Sequence, residues 1–85
     1  MDYLSNLPVI FVSGDLQYND ASDGRGPRAV RVSRECLEDV FGADGTQDSM
    51  RRVFHENMTR IQAIARKKIF ASDDNPVLVV TADFR

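Results

Sequence analysis

Apolar residues fall along this chain in two patterns, short runs of strand type and longer stretches at helical spacing. Val9 to Val12 is an unbroken β-favouring run closed by "SGD", and "VLVVT" begins another at Val77. Both predict buried strands. Between Ala29 and Val32 the pattern alternates, with Val30 and Val32 on one face and Arg31 on the other, so a further strand is expected there. The segment 13–27, "SGDLQYNDASDGRGP", is rich in Gly, Asp, Ser and Asn and predicts a long loop, with at most a short strand at Leu16 to Tyr18. Loops of about 15 residues are uncommon in compact domains and usually serve a function or move.

Two helices follow from spacing and caps. Ser33 suits an N-cap, Glu35 stands in the first turn where the macrodipole favours an acid, and Leu37, Val40 and Phe41 recur at i, i+3 and i+4 before Gly42 stops the helix. A second N-cap at Thr46, with Asp48 behind it, opens a helix expected to run to about Phe70. At 100° per residue Met50, Val53, Phe54, Asn57, Ile61, Ile64, Ala65 and Lys68 fall on its apolar face. About 24 residues rise ~36 Å, whereas a compact chain of 85 residues is ~30 Å across. The helix is thus expected to span the domain or overhang it. Pro76 ends the helical stretch before the last strand.

The expected fold is a small two-layer α+β domain covering 1–85, with a sheet of three strands, or four if the segment 13–27 contributes one, and two helices on one face. The element order is strand, strand, helix, helix, strand. Two of the strands are apolar on both sides, while helices on one side cover one face. Either the long loop or a second copy of the chain is therefore expected to cover the other face, which makes a homodimer one of the expected assemblies.

Composition sets further bounds. An apolar fraction of 42% with 28% charged residues is that of an ordinary globular protein. Cys36 is the single cysteine, so neither an internal disulfide nor a Cys-rich zinc site can form, and a reducing cytoplasm is the expected location. The N-terminus has no basic segment before its apolar run, and no stretch approaches the ~20 apolar residues of a membrane span. No membrane association is expected. The net charge of −2 is uneven: Ser49 to Phe70 holds six Arg or Lys and one Glu, net +5, against −7 for the rest. Such asymmetry can orient an acidic partner.

The blocks "VSRECLEDVFGA", "FHENMTRIQAIARKKI" and "VLVVTADF" resemble the small bacterial family known as domain of unknown function 1488. Val32, Ser33, Glu35, Leu37, Glu38, Asp39, Phe41, Gly42 and Ala43 carry the first match, Phe54, Asn57, Ile61 and Ala65 the second, Thr81 and Phe84 the third. Cys36 stands where the family usually has Ala, Met58 where it usually has Arg, and the segment 13–27 is longer. The resemblance covers about 50 residues of the chain and implies the same α+β architecture. It implies no activity, since none defines the family.

Candidate chemistry is sparse. "HENMT" begins like a zinc-protease helix, but that site needs a second His four residues on, and Thr59 stands there. His55 reads as a surface residue. Cys36 beside the Leu37, Val40, Phe41 stripe reads as a small core hydrophobe rather than a nucleophile paired with His55. "NDASDG" lacks the ligands of a calcium loop, with Ala21 at its third position and Val30 at its twelfth, and "GRGP" lacks the frame of a phosphate loop. No catalytic residue, metal or cofactor is expected. Asn57, inside the apolar arc, is expected to be structural, tying the long helix to the first helix or to a loop, as Ser33 is structural at its cap. The candidate binding residues are Arg51, Arg52, Arg60, Arg66 and Lys67 on the outer side of the long helix. An acidic protein is the favoured partner for them. Nucleic acid ranks behind it, because no aromatic is interleaved for base stacking and the pI is about 5.2. The functional expectation is a small non-catalytic protein-binding or assembly module, with a nucleic-acid-binding module as the alternative.

Overall fold

Residues 7–21, 24 and 26–85 are described by the structure, a computed structural model. The run beginning at Val9 forms β1 (Ile10–Val12), which turns through Ser13 and Gly14 directly into β2 (Asp15–Asp20). Both turn residues have positive φ, 52° and 88°, as a two-residue hairpin of the twist-matched kind requires. Most of the expected loop 13–27 is therefore a turn and a strand. Leu16, Tyr18 and Asp20 alternate inward along β2, a period of two hidden in a composition that looks like loop. Residues 22, 23 and 25 of the segment lie outside the described residues.

The expected strand near Ala29 is β3 (Arg28–Val32), and β4 (Val77–Val79) follows the helices. The sheet order is β1-β2-β3-β4, antiparallel in its first two pairings and parallel between β3 and β4. This is a mixed four-stranded sheet, and the chain is a small α+β domain. Helix α1 (Arg34–Asp39) is capped by Ser33, whose hydroxyl accepts from the Cys36 amide at 3.0 Å. It closes with Gly42 at φ 81°, where the Gly42 and Ala43 amides reach back to the carbonyls of Glu38 and Leu37.

The expected long helix is two helices. α2 (Gln47–Glu56) starts at Thr46, which accepts from the Ser49 amide, and stops at Asn57, whose backbone sits at φ −123°, ψ 21°. α3 (Met58–Ala71) then follows directly. A straight helix over this stretch would rise ~37 Å, against 34 Å along the longest principal axis of the molecule. Breaking at Asn57 also shifts the buried set by one residue. Met50, Val53 and Phe54 are buried on α2, but Met58, Ile61, Ala65 and Ile69 follow on α3, so the core takes Met58 and Ile69 where the straight wheel gave Asn57 and Lys68. The Asn57 amide donates to the Val53 carbonyl of its own helix at 2.9 Å, and so caps α2 rather than tying it to another element.

The Arg28 guanidinium fixes the far end of α3, donating to the carbonyls of Ile69, Ser72 and Asp74. The core lies between the helices and one sheet face. It holds Leu16, Tyr18, Val30, Val32, Val77 and Val79 from the strands with Leu37, Met50, Phe54, Ile61 and Ile69 from the helices. Phe54 is fully buried and packs on Tyr18 with ring centroids 5.0 Å apart.

Candidate binding surface

The five basic residues do not make one uniform stripe, because the break at Asn57 divides them between two helices. Most of them have local partners. Arg51 pairs with Asp48 at 3.3 Å and lies over the Phe11 ring, and Arg52 approaches Glu56 at 3.8 Å. Arg66 approaches the buried carboxylate of Asp20 at 3.7 Å. Arg60 covers Phe41 and Phe84, 5.2 and 5.7 Å from the ring centroids, and those rings meet edge to face. Lys67 is exposed.

Cys36 is fully buried, and burial, with the nearby carboxylates of Asp83 and Asp39 adding to it, pushes its thiol up to about 11. A thiol so placed is neither exposed nor ionised near neutrality. His55 is half-buried. Its Nε2 lies 3.2 Å from the Leu7 carbonyl, and its ring meets Phe54 edge to face. Among the described residues no group of three or more His, Cys, Asp or Glu is placed to hold a metal ion, and no helix is long and apolar enough to cross a membrane.

A different surface stands out, the sheet face turned away from the helices. Strand register aligns Ile10, Gln17, Arg31 and Leu78 in one row across all four strands. Ile10 is 57% exposed and Leu78 52%, and these two apolar ends flank a polar pair in which the Arg31 guanidinium donates to Gln17 Oε1 at 3.2 to 3.3 Å. Val80, 37% exposed, extends the apolar flank past β4. Of the segment 13–27, expected as one candidate cover, the part that forms β2 lies within the sheet rather than over this face. These residues escaped the sequence reading because a row across strands depends on register. The legible signals were the two strands apolar on both sides, which hold Ile10 and Leu78, and the alternation in "DLQYND".

The outer edge of β4 is closed. Lys68 Nζ donates to the Leu78 carbonyl at 2.7 Å and pairs with Asp83, also at 2.7 Å. Asp83 in turn accepts from the Val80 amide at 2.8 Å, while its own amide donates to the Val80 carbonyl. Burial opposes ionisation of Asp83, yet the hydrogen bonds from Lys68 and Val80 outweigh it and hold the carboxyl below its ordinary value. The Leu78 carbonyl and both backbone groups of Val80, which could otherwise recruit another strand, are thereby occupied.

Comparison with protein-family models, with curated proteins and with solved structures gives no match to this chain.

Proposed function

We propose that this chain is a small non-catalytic protein-binding module whose working surface is the open face of its sheet. The observation that carries this reading is the row Ile10, Gln17, Arg31, Leu78, in which large apolar side chains stay about half exposed on both flanks of the sheet face. Isolated exposed hydrophobics are ordinary, but here Ile10 on one flank and Leu78 with Val80 on the other share one sheet face around a polar pair, an arrangement that suits a contact. The buried thiol of Cys36 and the engaged ring of His55 speak for a non-catalytic role. A reducing cytoplasm suits a lone buried cysteine. Membership of the domain of unknown function 1488 family belongs to the same proposal, supported by the motif residues around the β3 to α1 junction. The pairing of Arg51, Arg52 and Arg66 with carboxylates speaks against nucleic acid as the partner, since it lowers the positive potential a polyanion would meet.

The test is affinity capture from the native cell with the wild type and with an Ile10→Lys, Leu78→Lys double variant. Proteins retained by the wild type and lost by the variant support the open face. Equal capture by both, with unchanged circular dichroism, would overturn it.

A further inference from the structure

We propose that the occupant of this face is a second copy of the chain, packed face to face about a two-fold axis that runs along the strands between β2 and β3. The inference rests on the open face being the working surface and adds the identity and geometry of its partner.

A two-fold relating two facing sheets must lie in the plane between them. Run along the strands, it superposes β1 of one copy on β4 of the other and β2 on β3. Ile10 then meets the second copy's Leu78, and Gln17 meets its Arg31, so every apolar end finds an apolar end. The register places Asp15 one row from Gln17 on the same face of β2, so the second copy's Arg31 also comes beside Asp15. The charged groups on this part of the face are thus complementary to themselves. Run across the strands instead, the axis stacks each strand on its own equivalent and sets Arg31 against Arg31. Like charges facing each other across a desolvated layer disfavour that arrangement.

Edge-to-edge association is closed off at the same time. Lys68 occupies the outward Leu78 carbonyl of β4, Asp83 the Val80 amide just past it, and β1 at the other edge has three residues. The face is small, about 19 Å across four strands and about 17 Å along five residues, well short of the ~800 Å² per partner of a standard interface. The dimer is accordingly a weak one, with a Kd on the order of 10 to 100 μM.

Two measurements test this. Sedimentation velocity across about 5 to 500 μM should show a monomer becoming a dimer, and Ile10→Lys should abolish the change while leaving circular dichroism intact. Geometry is read by mixing an Ile10→Cys chain with a Leu78→Cys chain and adding a short bis-maleimide. Cross-linked dimer is expected in the mixture and not with either chain alone, and buried Cys36 gives little background. Cross-linking within each single-variant sample would establish the other axis and overturn the proposed geometry. A monomer at every concentration would overturn the second copy as occupant; whether Ile10→Lys, Leu78→Lys then loses captured proteins decides separately whether the face binds anything.

Discussion

Phe54 is the residue on which most of the interior converges. It is fully buried, packs at a tilt on Tyr18 with ring centroids 5.0 Å apart and meets the neighbouring His55 ring edge to face. Replacing it with Ala should cost about 3 to 5 kcal/mol, enough to leave a domain this small largely unfolded, and urea denaturation measures it. Its burial was legible from spacing alone. The role of His55 was not, because its contact is the Leu7 carbonyl, 48 residues away in sequence. A helical wheel contains no information about such a partner. His55→Ala should therefore cost about 1 kcal/mol rather than pass unnoticed, and the same denaturation series separates the two outcomes.

At the level of elements, caps and stops were the most readable features. Ser33, Thr46 and Gly42 act where their chemistry suggested, since each cap is decided by two to four neighbouring residues. The hairpin was obscured because "SGD" stands in a stretch whose polar composition suits a loop, while its side chains alternate as a strand. Ser13 and Gly14 adopt positive φ, and Gly14 at 88° has open space around it, so conformational strain alone decides a substitution there. Gly14→Ala should destabilise by about 1 to 2 kcal/mol, visible as a lowered midpoint with an unchanged slope in urea. The helix break was illegible for another reason: no proline or glycine marks it. Asn57 was singled out as the buried amide that needed a partner, and that partner proved to be the Val53 carbonyl. Asn57→Ala should cost about 1 kcal/mol without joining α2 to α3.

For the whole molecule, charge asymmetry read from the sequence overstated the basic surface, because local pairing with Asp48, Glu56 and Asp20 cannot be counted from net charge. Retention on heparin at about 20 mM salt, where weak electrostatic binding is most visible, should accordingly be slight, leaving an Arg52→Glu, Arg60→Glu, Lys67→Glu variant little to lose. The same buried and paired groups fix how stability varies with pH. Asp83 and Asp44 have carboxyls held below their ordinary values: Asp83 through Lys68 and the Val80 amide against an opposing burial effect, Asp44 first through the Thr46 amide and then its hydroxyl. Their contribution is complete above an unfolded-state value near 4 and is lost as pH falls through the lowered folded-state values. On the alkaline side the sign reverses. The Cys36 thiol rises from 9.0 to about 11 and the Tyr18 phenol is also raised, both chiefly by burial, so the unfolded chain releases these protons first. Stability should therefore be flat from about pH 5 to 8 and fall from about pH 9, with Cys36 alone accounting for about 2 to 3 kcal/mol by pH 11. Cys36→Ala isolates that part: its stability should be lower near neutrality, because a buried side chain is trimmed, yet decline less between pH 9 and 11 than the wild type. Parallel alkaline limbs for the two proteins would mean that Cys36 ionises equally easily folded and unfolded, against its place in the core.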